Sequence, residues 1–245
     1  MLIEQDLSPN HNARTPGKPV DVLLLHYTGM ADGEGAVRWL CNPASQVSSH
    51  YVIHEDGRVV QLVDEARRAW HAGRGSWFGE TDLNARSVGV EIVNPGHNFG
   101  YRPFPEVQMA AVVALSRAIL GRHPIPPERV LAHSDIAPLR KDDPGELFPW
   151  DRLHAEGIGH WVPPVPVVEG PVLAPGAAGD PVAALQARLR SYGYGIGEEG
   201  RYGEETAAVV RAFQRHFRPA LVDGIADVST VATLERLIAE LPRRP

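Results

Sequence analysis

The sequence predicts an α/β fold, a mixed β-sheet flanked by helices, followed by a small C-terminal three-helix domain. Three observations carry this expectation. Short β-rich runs alternate with helical stretches through the first two thirds of the chain. A stretch dense in proline and glycine, 161–181, then interrupts regular structure. Beyond it, apolar residues recur at helical spacing in three separate stripes.

Taken in order, residues 21–28, DVLLLHYT, form a near-continuous apolar run with polar residues at its end. That is the pattern of a central strand buried on both faces. Residues 51–63, YVIHEDGRVVQLV, hold two β-rich runs around Glu55-Asp56-Gly57, which predicts a hairpin whose glycine takes a positive φ. Residues 87–94, SVGVEIVN, read as a further strand. Residues 107–120 are rich in Ala and Leu, and Gly121 and Pro124 follow as stop signals, so a helix is expected. Residues 129–133, RVLAH, read as a short strand entering a loop. The sum is helices packed on a sheet. After the interruption, Val182, Leu185, Leu189 and Tyr192 share one helical face. Val209, Val210, Phe213 and Phe217 form a second stripe, and Leu234, Leu237, Ile238 and Leu241 a third. The expected organisation is an α/β domain at 1–162, a linker at 163–180 and a helical domain at 181–245.

The 245 residues carry 43% apolar side chains, enough to bury a core, and a formal net charge of -6. An acidic balance without a Lys/Arg run argues against nucleic-acid or anionic-membrane partners. One cysteine, Cys41, excludes an intrachain disulfide and a Cys-rich zinc site, whereas 11 histidines leave a His/carboxylate metal site open. No run approaches the length of a membrane span. The N-terminus has no apolar h-region and no lipid-attachment cysteine, so the expected location is cytoplasmic, or periplasmic where a signal has been trimmed. No obligate protein partner is indicated.

The chemistry is expected where strands end. His26 closes the apolar run 21–28, and ligands commonly bind at strand ends of α/β sheets. Alone, it reads more readily as a buried, hydrogen-bonded histidine. His133 also ends a short strand, and Asp143 follows ten residues later in a loop bearing Pro144 and Gly145. Zinc accepts His nitrogen and Asp oxygen, and three protein ligands with one open position is the catalytic pattern. Spacing alone does not separate this from a charged surface loop.

LLLHYTG, VSSHYVIHEDGRVVQLV, RAWHAG, SVGVEIVNPG and AHSDIAPLRKDDPGELFPW together resemble the amidase-2 family of N-acetylmuramoyl-L-alanine amidases, of the AmpD and AmiD type and related to peptidoglycan-recognition proteins. The resemblance covers residues 17–162. It implies that His26, His133 and Asp143 bind Zn2+, with Asp142 and Asp135 as rival carboxylates to Asp143. It implies that Glu91 is the catalytic glutamate. Strand alternation adds that Glu91 faces away from Val90 and Ile92, into a cleft while they enter the core. Lys141 matches the family's lysine and would stabilise an oxyanion, while Arg140 beside it reads as a solvated loop residue. His50 and His71 fall on family motifs and are expected to line the cleft or support it. Gln46 stands where relatives contact the peptide. Trp70 is expected in the core, and His54, His97, His154, His160 and His216 are read as incidental.

Residues 179–217, followed by VDGIADVSTVATL, resemble the peptidoglycan-binding-1 module. The run GIGEEGRYG departs from the commoner form, in which an aspartate precedes the second glycine, and that departure bears on glycan binding. The implied function is zinc-dependent hydrolysis of the amide between N-acetylmuramic acid, or its 1,6-anhydro form, and L-alanine in muropeptides or peptidoglycan, in recycling or turnover. The alternative is a non-catalytic peptidoglycan sensor, which would lack a zinc ligand. A zinc peptidase of the HExxH kind is disfavoured because that motif is absent.

Overall fold

The structure is a computed structural model, and it describes residues 2–242. In chain order the elements are β1 (Ile3–Gln5), β2 (His11–Ala13), β3 (Val22–Tyr27), α1 (Gly33–Leu40), β4 (Tyr51–Ile53), β5 (Val59–Gln61), β6 (Arg67–Ala69), α2 (Leu83–Arg86) and β7 (Ser87–Ile92). There follow α3 (Gly96–Phe99), α4 (Glu106–Arg122), β8 (Val130–Ala132), α5 (His133–Ile136), α6 (Trp150–Ala155), α7 (Asp180–Tyr192), α8 (Glu204–Phe217) and α9 (Val228–Glu240). Six strands form one mixed sheet in the order β1-β5-β4-β7-β3-β8, and β2 pairs with β6 in a two-stranded ribbon. Within the main sheet only β4 and β5 are antiparallel.

The apolar run at 21–28 becomes β3, the strand between β7 and β8. Its side chains alternate between two cores, as the strand period requires. Leu23 and Leu25 pack with Val88, Val90 and Ile92 of β7 beneath α4, which contributes Met109, Val112, Leu115 and Ile119. Val22 and Leu24 face the other way, into a core shared with the C-terminal helices. Burying each of these side chains stabilises the fold by roughly 1.5–3 kcal/mol, so the alternation fixes which face of the sheet is left for chemistry.

The predicted elements are present with small shifts. The helix expected at 107–120 runs from Glu106 to Arg122. It stops as the backbone turns extended at His123, ahead of Pro124. The predicted hairpin is the antiparallel pair β4–β5, and Gly57 has φ 86° in its turn. There a side chain would also press on the Val107 carbonyl, 3.0 Å from an added Cβ. The strand expected at 129–133 ends at Ala132, and His133 opens the one-turn helix α5 instead of entering a loop.

The three C-terminal stripes are α7, α8 and α9, and their apolar residues join one buried cluster with Trp77, Leu83, Leu131 and Ile136 of the α/β part. The segment before α7 is not a free tether. The Val165 N–H donates to Thr233 Oγ1 at 3.0 Å, Ser229 Oγ donates to the Val165 carbonyl at 2.6 Å, and Leu173 forms a β-bridge with Ala226. Among the described residues no helix is long and apolar enough to cross a membrane.

Candidate active site

Three adjacent parallel strands, β7, β3 and β8, end at one edge of the sheet and deliver the site side by side. His26 of β3 lies opposite Glu91 of β7 in register, and His133 directly follows β8. Because Val90 and Ile92 belong to the core under α4, Glu91 takes the opposite face, the same face as His26. Asp143 arrives from the loop after α5. The Ser134 N–H donates to the Asp143 carbonyl at 3.0 Å, which closes that ten-residue excursion on itself. The Asp143–Pro144 peptide is cis.

The ligand candidates converge. His26 Nδ1 lies 2.9 Å from His133 Nδ1 and 3.0 Å from Asp143 Oδ2, and His133 Nδ1 lies 3.0 Å from the same oxygen. All three residues are buried. The other ring nitrogens decide which atoms face the centre. His133 Nε2 lies 2.9 Å from the Ala72 carbonyl, to which it must donate. His26 Nε2 lies 3.0 Å from His71 Nδ1, His71 Nε2 lies 3.2 Å from Ser87 Oγ, and Ser87 Oγ donates to the Leu83 carbonyl at 2.6 Å. Read from that terminal carbonyl backwards, His71 Nε2–H donates to Ser87, His71 Nδ1 accepts from His26 Nε2–H, and His26 is left with a lone pair on Nδ1. Two lone pairs and a carboxylate oxygen within 3.0 Å of one another repel unless a cation joins them, and two histidines with one carboxylate suit zinc. The residues therefore fit a metal of that kind.

Burial sets the electrostatics. It pushes the His26 imidazole down to about 4, with His133 adding to the effect and Asp143 opposing it. His71 is held well below its ordinary value by burial and by the neighbouring His26 and His50. Neutral imidazoles are what a metal needs. Burial alone would raise Asp143, but His133 and His26 outweigh it and hold the carboxyl below the usual carboxylate range. Glu91 goes the other way: burial and then the Asp143 charge push it well above its ordinary value, against a smaller opposing effect of Lys141. Its Oε2 is buried with no hydrogen-bond partner among the described residues. Glu91, Lys141, the three ligand candidates and His71 all line one open cavity of about 410 Å³. The Lys141 ammonium forms no ion pair or hydrogen bond among the described residues.

The rival carboxylates are accounted for elsewhere. Asp142 pairs with Arg215 at 2.8 Å, and Asp135 is buried against Tyr194 and His216. Arg140 is an exposed loop residue, as expected, yet its guanidinium donates to the Ala72 carbonyl at 2.7 Å and to the Arg74 carbonyl at 2.6 Å. It thereby holds the same carbonyl that orients His133. Trp70, expected in the core, is half-buried and lines the cavity with Trp39.

Of the two roles expected for His50, lining the cleft or supporting it, the structure shows the second. It is fully buried, its Nδ1 accepts from the Gly89 N–H at 3.0 Å, and its Nε2 lies 3.1 Å from the Arg67 carbonyl. With both nitrogens committed to backbone it supports the sheet behind the cavity. His71 lines the cavity, yet both of its nitrogens are engaged by His26 and Ser87, so it supports a ligand candidate. Gly89 makes room for it, because an added Cβ would lie 2.4 Å from His71 Nδ1. Gln46 is exposed with φ 54°, beside Val47 and Ser48, which do line the cavity. Ser87 and the Ala72 carbonyl escaped the sequence reading, since neither a lone serine nor a backbone carbonyl carries a motif.

Comparison with known proteins places this geometry in context. The family model of N-acetylmuramoyl-L-alanine amidase matches residues 16–146, and that of a peptidoglycan binding domain matches residues 178–234. The N-acetylmuramoyl-L-alanine amidase AmiD of Escherichia coli (strain K12) is 39% identical over 246 residues, 95% of this chain and 87% of that protein. The 1,6-anhydro-N-acetylmuramyl-L-alanine amidase AmpD of Enterobacter cloacae is 32% identical over 165 residues, 60% of this chain and 86% of that protein. Among solved structures, the complex of E. coli AmiD with anhydro-N-acetylmuramic acid-L-Ala-D-gamma-Glu-L-Lys matches with TM-score 0.77 and 38% identity, over 94% of this chain and 93% of that one. AmpDh3 of Pseudomonas aeruginosa, in complex with anhydromuramic pentapeptide, matches with TM-score 0.78 and 32% identity, over 97% and 99% of the two chains.

Proposed function

Since the chain belongs to the N-acetylmuramoyl-L-alanine amidase family and is a hydrolase of that class, we propose that His26, His133 and Asp143 hold zinc and that the site cuts the amide between muramic acid and L-alanine in muropeptides. The observation that carries this reading is the set of three converging ligand atoms, 2.9–3.0 Å apart, in one cavity with the unpartnered Glu91 carboxyl. When bound, zinc polarises the scissile carbonyl and makes water acidic enough to attack near neutral pH.

The chain's own groups do the rest. Glu91 takes a proton from the attacking water as its oxygen adds to the carbonyl carbon. It then returns that proton to the departing amine as the C–N bond breaks, leaving a carboxylic acid on the sugar side and a free L-alanine amine on the peptide. Lys141, half-buried on the cavity wall, offers a positive charge to the carbonyl oxygen as it becomes anionic. His71, backed by Ser87, holds the ring of His26. Trp39, Trp70 and Val47 give the cavity an apolar side, which suits a sugar ring carrying an acetyl group and a peptide.

The relatives' complexes with anhydromuramic peptides support the anhydro form as a substrate here, in recycling or turnover of the wall. We assign catalysis to 1–162 and a peptidoglycan-binding-like unit to 181–245, joined by 163–180.

The test is mass spectrometry of the products from anhydro-muramyl tripeptide, with and without a zinc chelator. Release of the free tripeptide, abolished by chelator and restored by zinc, is expected. Cleavage that survives complete removal of metal would refute the zinc assignment, and cleavage elsewhere in the substrate would refute the bond assignment.

A further inference from the structure

The C-terminal helical domain touches the α/β part at both ends of the segment that carries His133 and Asp143. At the first end stands Asp135, two residues beyond His133 on α5 and 0% exposed. Its Oδ1 accepts from the Tyr194 hydroxyl at 2.7 Å. Its Oδ2 accepts from the Ala132 N–H at 2.8 Å and lies 2.7 Å from His216 Nδ1. At the other end Asp142, the residue before Asp143, pairs with Arg215 Nη2 at 2.8 Å, and Arg215 Nε lies 3.8 Å from Glu146. Arg215 and His216 are consecutive residues of α8. The His216 ring is itself fixed, stacked between Trp150 and Phe217 at centroid distances of 3.7 and 3.8 Å.

One helix thus grips the neighbours of two ligand candidates. These candidates need such a grip. Their three inward atoms repel one another until a cation arrives, and Asp143 comes from an irregular loop, the kind of backbone that otherwise opens most readily. A functional group held on a loop must be kept within about 0.5 Å by the shell behind it. Within the α/β part that shell includes the Ser134–Asp143 backbone bond, the contacts of Arg140, the Ala132 cap on Asp135, the Tyr101 hydroxyl on the Pro144 carbonyl and the His133 bond to the Ala72 carbonyl.

We propose that the C-terminal helical domain is a positioning element of the metal site: Tyr194 and His216 through Asp135, and Arg215 through Asp142, hold the two ligand-bearing ends of the 133–143 segment in the geometry that binds the ion. This rests on the assignment of His26, His133 and Asp143 as ligands, and it is separate from any binding of glycan by the same domain.

The test uses the full chain and reads zinc affinity by competition with a chromogenic chelator, beside the melting temperature of the metal-free protein. The variants are Tyr194→Phe with Arg215→Ala, and Tyr194→Phe with Arg215→Lys. The control is Tyr192→Phe, which removes a buried hydroxyl from the same interface, where it meets His160 Nδ1 at 2.9 Å and no part of the ligand segment. The first variant is expected to bind zinc about tenfold more weakly while its metal-free melting temperature stays close to that of the parent. Lysine at 215 should recover part of the loss, and the control should bind like the parent. Should the double variant not fold, Tyr194→Phe alone carries the comparison with Tyr192→Phe. Unchanged affinity in a folded variant, or an equal loss in the control, would overturn the proposal. A parent chain that binds no zinc would instead overturn the ligand assignment beneath it.

Discussion

A glutamate inside an apolar strand is costly unless its carboxyl has work to do, and Glu91 has neighbours that pack and a side chain that does not. Val90 and Ile92 lie beneath α4, while the Glu91 carboxyl faces the ligand atoms. Glu91→Gln preserves shape and removes the base. It should keep zinc and the melting temperature and lower kcat by about 100- to 10,000-fold, as checked by steady-state rates on samples of known metal content. The sign of the pH effect follows from burial. The folded protein favours the protonated carboxyl, so the fraction of working base declines on acidification from a higher pH than for an exposed glutamate. In the metal-free protein the Glu91 carboxyl is therefore expected to titrate above the ordinary carboxylate range, as read by NMR. Titration at the usual glutamate value would show that burial does not hold its proton.

Between elements, Glu65 joins three pieces of the α/β part. Its carboxylate accepts from the Tyr51 hydroxyl of β4 at 2.7 Å, from Arg122 at the end of α4 at 2.7 Å, and from His123 at 2.7 Å. Burial would raise its pKa, but Arg122, Tyr51 and His123 outweigh that and bring it from 4.5 down to about 2. A depressed folded value means stability that is fully present above 4.5 and lost as pH falls towards about 2. The side chain is 11% exposed, so screening by solvent is limited. Glu65→Gln should cost about 2 kcal/mol near neutral pH, read from urea denaturation, and the deficit should shrink below pH 4.5. A constant deficit across that window would place the effect in packing instead of charge.

At the scale of the whole molecule, the two parts share one core. Trp77 is 0% exposed and meets Tyr194 and Tyr192 edge-on at centroid distances of 4.9 and 6.1 Å. The α5 turn that carries Ile136 packs on α8. Removing residues 165–245 returns such side chains to water. Each costs roughly 1.5–3 kcal/mol, so a few consume much of a total stability of about 5–15 kcal/mol. The truncated chain is expected to be poorly soluble or to melt well below the full chain, by calorimetry or light scattering. A soluble truncation with the parent's melting temperature would mean that the shared core contributes little.

What the sequence by itself determined is everything that rests on local period and local spacing. β3, β7 and α4 were legible because their apolar patterns extend over six or more residues, and the three-residue β4 and β5 because a turn signal lies between them, whereas α2, α3 and β6, three or four residues each, carry no such signal. His26 and Glu91 were legible as chemistry because each is a polar residue in an apolar strand, and the family motifs singled out His133 and Asp143. The tertiary structure added why Asp135 and Asp142 are not the ligand, since Asp143 meets His26 and His133 while the other two are taken up by Tyr194, His216 and Arg215 of the C-terminal part. It alone set His50 beside His71 and off the cavity and gave His71 a ligand candidate to hold, because hydrogen bonds to the Arg67 carbonyl and to His26 join residues 17 and 45 positions apart. It alone showed that the C-terminal helices close on the ligand segment, because contacts 59 and 81 residues apart depend on how faces pack, and a pattern read along one chain is silent about which faces meet.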